Sequence, residues 1–322
     1  MTSSTTRRRA AAKTPPASPQ KPRNPPNRRS ASSSRGADAK ARPRGVGPKA
    51  QFDGRVWREG PYWFDATAAD KAAAFFPNHL RFTQGEWAGR PFTLEAWEED
   101  DIVRPLFGWK RADGTRRYRR CYVWIARKNG KTELAAGIAI LMLLGDAEPG
   151  GQVFSIASEK DQAKIVFDKA AVMIPGSSSL SALLETFKES IYCPRLNASF
   201  RPLSGKPAGK HGLNMSGLVG DEIHEWKGGD LYTFVHDSAA ARPQPLEFLI
   251  STAGQKGTYG EEVWKECQAI AAGDVDDPET LVVIYAPAPD DDWTKEETWR
   301  KANPNWGRSV KVEPFLADFN RA

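Results

Sequence analysis

A basic stretch near the middle of the chain has the residue types that bind phosphate. Residues 121–132 read CYVWIARKNGKT and end in Gly-Lys-Thr, as a phosphate-binding loop does. In such a loop Gly130 lets the backbone approach a phosphate, Lys131 supplies positive charge, and Thr132 offers a hydroxyl to Mg²⁺. Ile125 stands where the usual G-x-x-x-x-G-K-[ST] pattern has its first glycine. The stretch predicts a nucleotide site, with a basic surface loop as the alternative.

Two adjacent carboxylates follow about 90 residues after this loop. In GLVGDEIHEW an apolar run ends in Asp221 and Glu222. An enzyme that hydrolyses nucleotides needs one carboxylate to hold the Mg²⁺ water shell and another to polarise the attacking water. Acids at the carboxyl end of a strand would lie where a doubly wound sheet binds its ligands. The alternative, an acidic turn after a strand, is weakened by the order and spacing of the two motifs.

A third motif, LISTAG, ends a strand-like run in Ser251, Thr252 and Gly254. Small hydroxyl residues at a strand end can lie beside the phosphates and respond to hydrolysis. The alternative is a plain transition from strand to turn, with Gly254 as the breaker.

The runs around these motifs alternate between strand-like and helix-like. Strands are predicted at 121–126, 152–158, 215–222, 247–254 and 281–286, and helices at 133–145, 159–174, near 229–240 and near 259–272. This alternation predicts an α/β fold with a mostly parallel central sheet. SIYCPR and NASFRPL are predicted to form a hairpin at the sheet edge.

The flanking segments differ from this core. Residues 1–50 hold 13 of the 46 Lys and Arg residues and only one acid, Asp38, so the chain is acidic beyond them. Their Pro- and Ser-rich composition predicts disorder, with a nucleic-acid-binding arm and a solvated extension as equal alternatives. The aromatic-rich residues 50–110 are interpreted as a helical lead-in. Residues 287–322, rich in Pro, Asp and Trp, are interpreted as a linker.

Taken in order, ARKNGKT, VGDEIHEW and STAG resemble the ATPase domain of phage terminase large subunits, the motors that package DNA into empty capsids. The resemblance covers about residues 60–310 and includes DDDWTKEETWRKANPNWG, which is similar to the connector between motor and nuclease in that family. A glycine-poor loop that begins with Arg127 is typical of the family and accounts for Ile125. The resemblance implies a P-loop NTPase fold (RecA/ASCE-like) with a mostly parallel central sheet flanked by helices.

The resemblance also implies roles for single residues. Glu222 and Arg127 would be catalytic, and Thr132 and Asp221 would hold Mg²⁺. The residues implied to bind ATP are Arg127, Lys128, Asn129, Gly130, Lys131, Thr132, Ser251, Thr252 and Gly254.

Other residues stay open at this stage. Trp97-Glu98 stands where the family often has Trp-Gln to read adenine, and a core role for Trp97 is slightly favoured. His211 and His224 flank the second motif, and a structural role is favoured for His224 over a polar sensor. A ring motor is expected to use a basic finger supplied by a neighbouring subunit. Its candidates are Lys210, Arg201 and Arg242.

These features predict an ATP-hydrolysing DNA-packaging motor, encoded as a truncated or split terminase large subunit. The expected domains are a basic tail (1–50), an ATPase domain (51–286) and a linker (287–322). The expected partners are double-stranded DNA, a portal or procapsid, the terminase small subunit and further copies in a ring. Host cytoplasm is the expected location, since no run is long enough to span a membrane and three scattered cysteines favour neither zinc nor disulfides.

Two other functions remain as alternatives. DEIH resembles the box of a DExH helicase, although the chain leaves no room for a second RecA-like domain. A DNA-binding remnant without catalysis would act through the tail alone. Nuclease activity is not expected, because Asp290, Asp291 and Asp292 are adjacent and are interpreted as solvated.

Overall fold

The computed structural model describes residues 41–204, 212–226, 228–254 and 256–321. Residues 1–40 of the predicted tail, and with them its predicted disorder, lie outside the described residues, as do Lys210 and His211. The helices are α1 (Ala66–His79), α2 (Arg104–Gly108), α3 (Lys131–Gly145), α4 (Lys160–Met173), α5 (Ser178–Ser181), α6 (Asp230–Asp237), α7 (Tyr259–Ala272), α8 (Glu296–Ala302) and α9 (Val312–Phe319). A π-helical stretch, Glu98–Val103, leads directly into α2.

The strands form two sheets. They are β1 (Gln51–Phe52), β2 (Trp57–Glu59), β3 (Tyr62–Phe64), β4 (Trp109–Lys110), β5 (Arg120–Trp124), β6 (Gln152–Ile156), β7 (Glu185–Thr186), β8 (Ile191–Cys193), β9 (Ala198–Leu203), β10 (Gly217–Asp221), β11 (Leu246–Ser251) and β12 (Thr280–Ile284). The large sheet has eight strands in the order β12-β5-β11-β10-β6-β9-β8-β7. From β12 to β9 every neighbouring pair is parallel. The predicted fold class is confirmed, and so is the predicted hairpin, since β8 and β9 pair antiparallel near one edge.

Alternating side chains divide β5 between the two faces of the sheet. Cys121 and Val123 point to a core shared with α1, α3 and α4, whereas Tyr122 and Trp124 point to a second core shared with α6 and α7. Burial on both faces suits the interior strands of a parallel sheet, which read as nearly continuous apolar runs. The helix α3 is apolar on almost every side because it packs between the sheet and α1. Gly137 allows this, since a Cβ there would meet Phe76 at 2.6 Å.

The lead-in differs from its prediction. It contains helices α1 and α2, but it also contains a four-stranded antiparallel sheet in the order β1-β2-β3-β4. The predicted helical lead-in therefore has its helices but also a sheet that was not predicted. Val46 and Ala50 are buried, so the last residues of the predicted tail pack as part of the folded unit. The folded unit begins before residue 50.

The segment after β12 also differs from a plain linker. The aromatic rings of Trp299, Trp306, Phe315 and Phe319 pack together between α8 and α9. Asn303 and Asn305 are buried against the loop that begins α3. Within the described residues, this part of the predicted linker is therefore packed rather than extended. No helix among them is long and apolar enough to cross a membrane.

Candidate active site

The predicted phosphate loop joins β5 to the N-terminus of α3. Lys128 has φ of +70° and Gly130 has φ of +84°, so two nearby positions take a left-handed backbone. Gly130 adopts this conformation without a Cβ penalty, whereas Lys128 is strained. The helix that follows is 15 residues long, and its N-terminus presents unpaired N–H groups and a positive dipole end. The loop therefore has the geometry that binds an anion.

Lys131 lies on the first turn of α3 with only 6% of its surface exposed. Its ammonium Nζ lies 3.3 Å from Glu222 Oε1, so the charge is paired inside the protein. This pairing brings the predicted phosphate-binding lysine to the predicted catalytic carboxylate, although 91 residues separate them in sequence.

Asp221 ends β10 and is 7% exposed. Its carboxylate accepts hydrogen bonds from the Thr132 side chain and from the Glu222 N–H, the latter at 2.9 Å. Burial, followed by the neighbouring charge of Glu222, raises the pKa of Asp221 to about 6, against the lowering effect of Lys131. A buried carboxylate beside a hydroxyl suits Mg²⁺, because the charge of the ion would offset the cost of burying an ionised carboxylate. The residues present therefore fit the ion.

No group of three or more His, Cys, Asp or Glu suited to a metal occurs among the described residues. This is compatible with Mg²⁺ in a nucleotide site, which is bound by one or two protein oxygens together with phosphates and water.

Glu222 directly follows β10 with φ of +50°, a strained left-handed conformation for a residue with a side chain. While Oε1 faces Lys131, Oε2 lies 3.1 Å from His224 Nδ1 and accepts a hydrogen bond from the Thr252 hydroxyl at 3.5 Å. The carboxylate is thus held from two sides, and strain of this kind clusters at functional sites.

The third motif lies between the other two. Strand β11 pairs with β5 on one side and with β10 on the other. Ser251 Oγ accepts the His224 N–H at 3.1 Å, which ties the end of β11 to the turn after Glu222. A Cβ on Gly254 would meet His224 Cβ at 2.8 Å, so this glycine permits the close approach. The sheet therefore brings all three motifs together at the carboxyl ends of neighbouring strands.

Arg127 is exposed and lines a cleft of about 540 Å³ together with His224, Gly254 and Tyr259. On the other side of the loop, Arg127 and Lys128 border a second, more apolar cleft of about 460 Å³, whose lining includes Phe315. Both clefts therefore adjoin the predicted phosphate loop.

A family model described as the terminase large subunit, ATPase domain, matches residues 99–266, which is more than half of the chain. The chain belongs to this family. It is 29% identical over 247 residues to the terminase large subunit of Enterobacteria phage HK97, covering 75% of this chain and 47% of that protein. It is 37% identical over 107 residues to protein YmfN of Escherichia coli K12, covering 32% of this chain and 23% of YmfN.

The crystal structure of the HK97 bacteriophage large terminase is similar to this chain in fold. The TM-score is 0.65 at 26% identity, over 78% of this chain and 50% of that one. The chain therefore spans about half the length of the HK97 relatives that it matches.

Trp97 in this terminase ATPase domain is a core residue, the interpretation slightly favoured from sequence. Its indole Nε1 donates to Asn305 Oδ1 at 2.8 Å, and its ring meets Tyr285 edge-on at 5.4 Å. Glu98 is 3% exposed and accepts the Glu95 N–H at 2.8 Å. Burial raises the pKa of Glu98 to about 8, so much of this side chain is a neutral acid at pH 7.

Of the finger candidates, Arg242 is bonded within its own chain, and its role stays a prediction. Its guanidinium donates to the carbonyls of Asn214 and Gly150 and pairs with Glu148. Arg242 itself lies just before the first residue of β11. These contacts lie at the amino ends of the strands, opposite the motifs. Arg201 lies in β9 with its guanidinium over the ring of Phe154 at 5.5 Å, and its role stays a prediction.

The acids after β12 do not form a cluster. Asp291 accepts hydrogen bonds from Lys301 and the Ala288 N–H, and Asp292 accepts them from Thr294. These bonds lower the pKa of both carboxylates.

Two residues near the site were missed by sequence reasoning. Asn303 and Asn305 are buried and bonded to Asn129 of the phosphate loop. The available signal was the repeated asparagine in ANPNW, within a segment interpreted only as a connector.

Proposed function

We propose that the chain is the ATP-hydrolysing motor of a DNA-packaging terminase large subunit. The observation that carries this proposal is the convergence of Lys131, the Asp221–Thr132 pair and Glu222 at the carboxyl ends of neighbouring strands. Nucleotide hydrolysis needs a phosphate-binding cation, a metal ligand pair and a water-polarising carboxylate within one small space.

In the proposed binding step, Lys131 and the N–H groups of residues 127–132 hold the β- and γ-phosphates of ATP. Thr132 and Asp221 would hold Mg²⁺, which when bound neutralises charge that develops on the phosphates. Arg127, which lines the adjoining cleft, would lie near the γ-phosphate.

In the proposed hydrolytic step, Glu222 polarises the attacking water. Phosphate competes with Glu222 for the Lys131 ammonium, so arrival of the nucleotide would free Oε1 to accept a proton from that water. His224, beside Oε2, keeps the carboxylate oriented. Ser251, Thr252 and Gly254 contact the same His224 turn, so they can transmit the loss of the γ-phosphate along β11.

The remaining proposals concern the domain bounds, the partners and the location of the protein. We propose residues 51–286 as the ATPase domain and residues after 286 as a connector that is packed on it. Double-stranded DNA, a portal or procapsid, a terminase small subunit and further copies in a ring are the proposed partners, in the host cytoplasm. The basic residues 1–40 support contact with DNA, because phosphate charge attracts Lys and Arg.

The test is ATP hydrolysis by the purified chain, alone and with double-stranded DNA and procapsids. Lys131→Ala removes the charge on the phosphates and should cost about 3 kcal/mol of transition-state stabilisation, about a hundredfold in rate. Lys188→Ala, which changes an exposed lysine near the far edge of the sheet, is the matched control.

The outcomes separate the candidate functions. Stimulation by procapsids supports the motor, whereas ATP-driven strand separation would support a DExH helicase. DNA binding without any hydrolysis by the wild type would overturn the proposal in favour of a non-catalytic DNA-binding protein.

A further inference from the structure

We propose that Asn303 and Asn305, acting through Asn129, position the phosphate-binding loop for ATP hydrolysis. This inference rests on the proposed function and adds two positioning residues, more than 170 residues away in sequence, to the nucleotide site. Burial differs between neighbouring residues of the loop. Asn129 is completely buried, whereas Arg127, Lys128 and Gly130 are exposed.

The side chain of Asn129 stabilises the loop from within. Its Nδ2 donates to the carbonyl of Ala126 at 3.1 Å and to that of Arg127 at 3.3 Å. The same Nδ2 donates to Asn303 Oδ1 at 3.0 Å. Asn129 therefore orders its own loop and connects it to the segment after α8.

Asn305 binds the same asparagine from the other side. Its N–H donates to Asn129 Oδ1 at 3.1 Å, and its Nδ2 donates to the Asn129 carbonyl at 3.0 Å. Its Oδ1 accepts from Trp97 Nε1, which fixes the orientation of the Asn305 amide. Three segments of the chain thus meet at Asn305, which is itself buried.

A further contact extends this support along the loop, where Ser309 Oγ donates to the Lys128 carbonyl at 2.6 Å. As a result, the carbonyls of four consecutive residues, 126–129, all accept hydrogen bonds from side chains. In a planar trans peptide the N–H points opposite to the carbonyl. Each carbonyl held by such a bond therefore directs the N–H of the next residue, from 127 to 130, away from its partner side chain.

The loop needs this support because of its own sequence. Ile125 replaces the first glycine of the usual pattern, and Lys128 keeps a left-handed backbone that costs about 1–3 kcal/mol. Such a conformation persists only when its surroundings hold it. The asparagine contacts supply that constraint, and preorganised N–H groups stabilise phosphate charge better than groups that must reorganise.

The experiment compares Asn303→Ala, Asn305→Ala and Asn129→Ala with the wild type. Each single variant should lower kcat/KM for ATP about tenfold to a hundredfold, because the loss of one amide leaves buried partners unsatisfied. Rates are expressed per folded molecule, with thermal unfolding measured in parallel. Trp306→Phe is the matched control, because it removes the bond to Glu296 in the same segment without touching the loop. This control should keep kcat/KM within about twofold.

A double variant tests whether the effect passes through Asn129. Asn129→Ala with Asn303→Ala should be no worse than the poorer single variant, since both remove the bond from Asn129 Nδ2 to Asn303 Oδ1. Hydrogen exchange gives a second readout, independent of catalysis. Amides of residues 125–132 should exchange faster in Asn305→Ala than in the wild type or Trp306→Phe.

The inference is overturned if the asparagine variants lose stability while kcat/KM per folded molecule and loop exchange stay at wild-type values. Additive effects in the double variant would also contradict it. Absence of ATP hydrolysis by the wild type would instead refute the proposed function. Hydrogen exchange would still show whether the asparagines order the loop.

Discussion

Lys131 Nζ lies 3.3 Å from Glu222 Oε1, so the residues assigned to phosphate binding and to water activation are in contact with each other in the described site. A phosphate that pairs with the Lys131 ammonium would displace the Glu222 carboxylate from it. The proposed binding of substrate and the proposed activation of the base would thereby be linked through one ion pair.

Glu222→Gln should stop ATP hydrolysis but keep ATP binding. Its affinity for MgATP should rise by up to about fivefold, because a neutral amide holds Lys131 less strongly and an ion pair with one partly exposed partner is worth about 1 kcal/mol. Calorimetry and a phosphate-release assay measure the two effects. Glu185→Gln, on edge strand β7, is the control. Hydrolysis by Glu222→Gln at the wild-type rate would show that the catalytic assignment is wrong.

Glu98 should make stability depend on pH. Burial raises its pKa to about 8, helped by the charges of Glu95 and Glu133 and opposed by Arg308 and the Glu95 N–H. Because the folded pKa lies above the unfolded value, its stabilising contribution is complete below about pH 4.5 and is lost as pH rises through about 8. Each pKa unit corresponds to about 1.4 kcal/mol.

Glu98→Gln removes this titration. The melting temperature of the variant relative to the wild type should therefore rise between pH 5 and about pH 8 and level off above it, as scanning calorimetry can measure. Glu313→Gln, at an exposed position on α9, should show no such trend. A constant difference between Glu98→Gln and the wild type would mean that Glu98 is ionised throughout.

Removing residues 1–40 should leave folding and basal ATP hydrolysis unchanged but weaken DNA binding. The deletion stops at residue 40 because Val46 and Ala50 are buried in the folded unit. If about five of the deleted bases contact phosphates, the slope of log K against log salt should fall by roughly 4 to 5 units. Fluorescence anisotropy across a salt series measures this slope. An identical slope in both proteins would assign DNA binding to the folded unit.

The purified chain should not cleave DNA. Two-metal hydrolysis needs several carboxylates that converge on ions about 4 Å apart, whereas Asp291 and Asp292 bond to different partners. The assay is plasmid with Mn²⁺, beside an Asp221→Ala variant that removes metal from the ATP site. Cleavage that survives in this variant, and disappears when Asp290, Asp291 and Asp292 are replaced, would place a second active site after β12.

The parallel sheet and its three motifs could be predicted because each carries a local signal. An apolar run precedes Lys131, another precedes Asp221 and a third precedes Ser251. The small sheet gave no such signal, since β1 has two residues and is held by pairing with β2. The bond from Asn303 to Asn129 spans 174 residues, so no local pattern could show it.

The central place of β11 limits how this protein can change over time. Its Ser251 pairs with Trp124 before the phosphate loop, and its Ile250 pairs with Asp221 at the carboxylates. One inserted or deleted residue within β11 would turn its side chains to the opposite face and shift both neighbours at once. We therefore expect natural variation in length to accumulate in the surface turns, while the number of residues in this strand stays fixed.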